Sequence, residues 1–300
     1  MIPGKMTADG KDAAVLLRIA KPFIDAGFNV LALGKPGVDF FSSWDPNKMF
    51  YDANLITNLT WQNLLDNAKE GVQFLRKQLS VDNDRIYVLG HSEGTQVATD
   101  LAKDTPLAGM ILLAYSGEDL LTTVKWQMAG RTVDHFIKTD VDSDHDGLIS
   151  KQEAAKWPAN FSWDWKAGQE KVSIKEVQDA MEQDLRTKEA LAAIRKIPFC
   201  ASSGKCERGP VYKETASFKG PLYVFTGELD LQTPASEALK LKQVCEARKK
   251  NNCFVEIVPG VQHGFSPPRA PRRHPLLDIS VGPVEPFFQE ELAKLAKQLR

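Results

Sequence analysis

Tyr87-Val88-Leu89-Gly90-His91-Ser92-Glu93-Gly94-Thr95 is the stretch whose reading decides the fold. Ile86 to Leu89 is an apolar run of strand length, and the residues after Gly94 place Val97, Ala98 and Leu101 at helical spacing. Between them stands the pattern G-x-S-x-G, a sharp turn from strand to helix that lifts the serine hydroxyl to its tip. Glycines flank the serine because so tight a turn leaves no room for a Cβ. Ser92 is therefore the candidate nucleophile. A turn serine in a nucleotide-binding unit is the alternative, but no G-x-G-x-x-G or G-x-x-x-x-G-K-[ST] accompanies it.

Outward from this stretch the chain alternates. Residues 11 to 26 read as a helix with a broad apolar face, Phe28 to Leu33 as a buried strand, residues 40 to 58 as an irregular loop, and residues 60 to 79 as a helix with Leu64, Leu65, Ala68, Val72, Leu75 and Leu79 on one stripe. The segment Gly109 to Tyr115 is a further strand. Continuous apolar strands alternating with helices imply an α/β fold with a mostly parallel sheet covered on both faces. The alternation stops after Gly117 and resumes at Pro221 to Phe225. We expect residues 1–117 and 220–300 to form the core, with 118–219 a helical cap inserted into it. Four of the six tryptophans, Trp126, Trp157, Trp163 and Trp165, fall in that insertion, as its own core or as a pocket lining. After the return strand come a helix from Thr233-Pro234 to about Lys249, the strand Phe254 to Val258 and a terminal helix from Pro286 to Leu299. No internal repeat is evident.

With 300 residues, 43% apolar content and no long apolar segment, the chain describes a globular protein without a membrane span. A net charge of -1, with basic residues scattered, argues against nucleic acid as a partner. The cysteines fall in two close pairs, Cys200 with Cys206 and Cys245 with Cys253, which suggests two short disulfide loops and a secreted or periplasmic setting. Four free thiols in a cytoplasmic protein are the alternative. No signal peptide precedes the fold. Met1-Ile2-Pro3-Gly4 reads as the end of a strand, so we expect the natural frame to begin upstream.

A serine attacks well only when a histidine takes its proton and a carboxylate fixes the histidine's tautomer. Phe225 to Asp230 is a strand end carrying carboxylates, and Gly260 to Gly264 a strand end carrying His263. Three motifs, Gly90-His91-Ser92-Glu93-Gly94, Gly227 to Pro234 and Pro259-Gly260-Val261-Gln262-His263, together give the chain a resemblance to the α/β-hydrolase superfamily. It resembles in particular the bacterial esterase and serine-peptidase-like members with an inserted helical cap. The resemblance implies a triad of Ser92, Asp230 and His263, with Glu228 as a rival acid. It implies an oxyanion hole from backbone N–H groups, the first on Glu93 and the second, where the family usually shows a His-Gly pair, on Lys5. The activity expected is hydrolysis of a small carboxylic ester through an acyl-enzyme on Ser92. An amidase or aminopeptidase-like hydrolase is the runner-up, and a non-catalytic calcium-binding module a third class. The arginines Arg269, Arg272 and Arg273 after the histidine read as a solvated loop or as contacts for an anionic substrate.

Inside the insertion, residues 142–153 (Asp142-Ser143-Asp144-His145-Asp146-Gly147-Leu148-Ile149-Ser150-Lys151-Gln152-Glu153) fit the twelve-residue EF-hand loop. Asp142, Asp144 and Asp146 offer carboxylates on alternate residues, Gly147 allows the sharp turn, Leu148 offers its carbonyl, Ser150 a ligand directly or through water, and Glu153 a bidentate carboxylate. A structural Ca2+ is thus the expected cofactor, held by what reads as a lone loop, with no organic cofactor.

Overall fold

The computed structural model describes residues 11–37, 54, 58–157, 163–267 and 283–300. Among the described residues the main sheet has four strands, β1 (Tyr87–His91), β2 (Gly109–Leu113), β5 (Leu222–Gly227) and β6 (Cys253–Val258), in the order β1-β2-β5-β6 and all parallel. Two further short strands, β3 (Leu148–Ser150) and β4 (Lys171–Ser173), pair antiparallel in a separate ribbon.

The apolar runs bury both faces of the sheet because successive side chains point to opposite sides. In β2, Met110 and Leu112 enter a core with Leu64, Val72, Val97 and Leu241. Ile111 and Leu113 enter the opposite core with Ile19, Phe23, Phe288 and Leu292. The first core is closed by the helices Trp61–Arg76, Glu93–Asp104 and Ala235–Ala247, the second by Lys11–Asp25 and Pro286–Leu299. This is an α/β fold, with helices on both faces of a parallel sheet and a largely helical stretch between β2 and β5.

That stretch contains one long helical run over residues 120–141. Parts of it are wound in wide turns, as the bonds from Arg131 N–H to Trp126 O and from Asp142 N–H to Ile137 O show. The ribbon and the helices Lys151–Ala154, Ile174–Gln183 and Leu185–Lys196 follow. A third core of Val133, Ile137, Val141, Ile149, Val172 and Val177 lies here, and Trp157, Trp163 and Trp165 pack against it. Of the tryptophans read as either core or pocket lining, these three take the first role. Trp126 instead donates through Nε1 to Asp134.

One expected strand, residues 28–33, joins no ladder among the described residues. Phe28, Val30 and Leu31 line a groove of about 290 Å3 together with Tyr87 and Leu89 of β1, and the Phe28 and Tyr87 rings meet edge to face at 6.1 Å. Both cysteine pairs form disulfides, Cys200–Cys206 and Cys245–Cys253. Among the described residues no helix is long and apolar enough to cross a membrane.

Candidate active site

The turn at Ser92 is as tight as its sequence implies. A Cβ on Gly90 would sit 2.4 Å from the carbonyl oxygen of Gly94, a contact no side chain tolerates. Ser92 itself has φ 56° and ψ -126°, a left-handed conformation that costs a non-glycine residue on the order of 1–3 kcal/mol. Its surroundings hold it there. Ser92 N–H donates to Leu113 O at 2.9 Å, and Ser92 O accepts from Thr95 N–H at 2.9 Å and from Thr95 Oγ1 at 2.7 Å. Helix Glu93–Asp104 starts at once, so the Glu93 N–H belongs to the first turn, which has no intrahelical acceptor. It is available to a developing oxyanion. Lys5, the other expected donor, lies outside the described residues, as do Arg269, Arg272 and Arg273.

Asp230 and His263 come together from the ends of two neighbouring strands. A Cβ on Gly227 would lie 2.5 Å from Val261 O, so the missing side chain at the end of β5 lets the loop after β6 close over it. His263 Nδ1 is 2.8 Å from Asp230 Oδ2 and 3.0 Å from Oδ1. Asp230 is 1% exposed and accepts further bonds from the N–H groups of Gln232 and Thr233 and from Thr233 Oγ1. Burial opposes its charge, yet His263 and these donors hold its pKa below the ordinary carboxylate value. The rival carboxylate is elsewhere: Glu228 Oε2 accepts from Gly260 N–H at 2.9 Å and serves the turn after β6.

The sequence assigns no role to three further side chains near this site. His91 sits beside Ser92, with Nε2 3.0 Å from His263 O and its ring 4.8 Å from the His263 ring. Burial first, and the neighbouring His263 second, push its pKa down to about 4. Arg131, from the helical run 120–141, is buried and donates through Nη1 to Leu231 O at 2.9 Å, tying that run to the loop of Asp230. Burial lowers its pKa to about 10 against the opposing pull of Asp230. Lys35 pairs with Glu93 at 2.6 Å, and both side chains are largely buried. The G-x-S-x-G pattern marks the place of His91; the other two were legible only as ordinary charged residues.

The EF-hand-like loop lies within the third core's neighbourhood. One carboxylate oxygen from each of Asp142, Asp144 and Asp146 lies within 4.8 Å of the others. Glu153 caps its helix, with Oε2 accepting from Ser150 N–H and Oγ, while Oε1 accepts from Ser143 N–H and Oγ. Leu148 and Ser150 lie in β3. The carboxylates of Asp142, Asp144 and Asp146 are thus gathered at one place.

No protein-family model matches the chain, and no curated protein matches it. Among solved structures it is similar to a monoacylglycerol lipase of Paleococcus ferrophilus, at 13% identity over 94% of this chain and 88% of that one, with a TM-score of 0.46. It is similar to an esterase of Thermogutta terrifontis, at 15% identity over 96% and 86%, TM-score 0.45. It is also similar to a mutant meta-cleavage product hydrolase, at 11% identity over 99% and 88%, TM-score 0.49. Likenesses this distant say nothing of substrate, and the functional reading rests on the site.

Proposed function

We propose that the protein is a serine hydrolase of carboxylic esters, with Ser92 as nucleophile, His263 as base and Asp230 as the acid that orients it. The observation that carries this reading is the buried Asp230–His263 pair at 2.8 Å, with the His263 carbonyl bonded to His91, the residue before a serine in a strained turn. With Asp230 accepting from Nδ1–H, the His263 Nε2 is left with a lone pair for the Ser92 proton. Ser92 Oγ then attacks the acyl carbon, and the negative charge on the former carbonyl oxygen is met by the Glu93 N–H. His263 passes its proton to the departing alcohol. Water, deprotonated by the same imidazole, releases the acid and restores Ser92.

Nothing favours a free-amine peptidase, which calls for an open carboxylate near the nucleophile; Glu93, next in the chain, is neutralised by Lys35. The test is turnover of an aryl ester beside the matching aminoacyl anilide, in wild type and Ser92→Ala. Ester turnover that disappears in the variant supports the reading. Faster anilide turnover, or an ester activity indifferent to Ser92, overturns it.

A further inference from the structure

The loop of residues 142–153 is not alone. Strands β3 and β4 pair Ile149 with Val172 at the centre of the ribbon, flanked by Leu148 with Ser173 and Ser150 with Lys171. Both central side chains are fully buried in one core. Ser150 and Glu153 form a capping box on the helix after β3, and Ser173 and Glu176, at the same spacing, form one on the helix after β4. Two copies of one loop, strand and capped helix thus face each other across the ribbon. Superposed in sequence, residues 165–176 set Trp165, Ala167 and Gln169 where the first loop has Asp142, Asp144 and Asp146. The second copy has kept the scaffold and carries none of those carboxylates.

Two observations give the first copy a ligand. Asp142 is 3% exposed; its Oδ2 accepts from Gly147 N–H, while its Oδ1 is buried with no hydrogen-bond partner. A buried carboxylate oxygen without a partner is costly, and its carboxylate lies in the cluster it shares with Asp144 and Asp146. A cation with several oxygen ligands answers that cost. One such charge is already at hand, because Lys171 Nζ of the second copy pairs with Asp146 Oδ2 across the ribbon.

We propose that these two loops form a paired EF-hand unit in which only the first binds Ca2+, and that Lys171 of the ligand-poor partner is the cation that Ca2+ displaces from Asp146. Asp142, Asp144, Asp146, the Leu148 carbonyl and Glu153 hold the ion, with Ser150 next to them. The affinity is set partly by the partner loop, since each binding event must separate an ammonium from a ligand carboxylate. This inference is independent of the hydrolase reading.

The test is calorimetric titration of the full chain with CaCl2, and separately MgCl2, at low ionic strength. Wild type is compared with Lys171→Met, Glu153→Gln and Lys175→Met. The last removes an equal charge from the same unit but from an exposed pair with Asp179. We expect one Ca2+ per chain with Mg2+ weaker, about fivefold tighter binding in Lys171→Met from the loss of an exposed ion pair, and wild-type affinity in Lys175→Met. Glu153→Gln should bind no Ca2+ while Lys171→Met reports on a folded unit. Absence of Ca2+ binding in both wild type and Lys171→Met overturns the site. Two ions per chain overturn the ligand-poor second loop. Equal affinities in wild type and Lys171→Met, or equal tightening in both lysine variants, overturn the role of Lys171.

Discussion

His91 Nε2 lies 3.0 Å from the backbone carbonyl oxygen of His263, so the residue preceding the candidate nucleophile holds the loop that carries the candidate base. A carbonyl only accepts, which requires the proton of neutral His91 to sit on Nε2. With its pKa pushed to about 4 by burial, the imidazole stays neutral at working pH. The elbow therefore positions two members of the site at once.

Replacing His91 with Ala should lower kcat while leaving KM close to wild type, because the base moves and the binding surface does not. A misplacement of about 1 Å costs on the order of a hundredfold. Steady-state kinetics decide it: unchanged kcat would detach His91 from the site.

The same residue sets an acid limit on stability. Its folded pKa, about 4, is below the ordinary value of 6.5, so between these values the unfolded chain binds more protons than the native one. The contribution is whole above pH 6.5 and is lost as pH falls through about 4. In His91→Gln, whose amide can also donate to His263 O, the fall in Tm between pH 6.5 and 4.5 should be shallower than in wild type. Parallel curves would contradict this.

Glu237 works in the opposite sense. It is 2% exposed, its Oε2 accepts from Gly117 N–H and Glu118 N–H where the chain leaves β2, and burial raises its pKa to about 7. The native state therefore holds its proton more tightly than the unfolded chain. That advantage is full below pH 4.5 and disappears as pH rises through 7. Glu237→Gln, neutral at every pH and still able to accept both bonds, should raise Tm at pH 8 and leave it nearly unchanged at pH 4.5. A variant that loses stability at pH 8 would refute the assignment.

Arg131 joins the helical run 120–141 to the loop of Asp230. Arg131→Met removes a charged donor and leaves Leu231 O buried, for a loss of about 1.5–3 kcal/mol in urea unfolding. Catalysis should fall as well, since Asp230 is the preceding residue. A change below about 0.5 kcal/mol, the range of an ordinary surface substitution, would show that the bond contributes little.

What the chain discloses before folding depends on how local the constraint is. The elbow is legible because Gly90 and Gly94 answer a clash within five residues, and Asp230 and His263 because each closes an apolar strand with a turn. Residues 28–33, read as a strand, join no ladder among the described residues; hydrophobicity does not specify which neighbour a strand pairs with. Arg131 and Lys35 are hidden for another reason: their partners are a distant carbonyl and a carboxylate, and no local pattern announces either. The likeness of residues 165–176 to 142–153 escapes detection because Trp165, Ala167 and Gln169 stand where the first stretch has Asp142, Asp144 and Asp146. What remains is the apolar Val172 with Ser173 and Glu176, and an apolar residue before a capping box reads as an ordinary helix start.

The most direct test of the central claim is mass spectrometry of the intact protein after exposure to a fluorophosphonate, followed by peptide mapping. The account predicts one adduct per chain, on Ser92, forming in step with the loss of ester turnover and absent from Ser92→Ala. It also predicts a much slower adduct in His263→Ala. Ester turnover that persists without an adduct, or an adduct on a different residue that tracks inactivation, would contradict it.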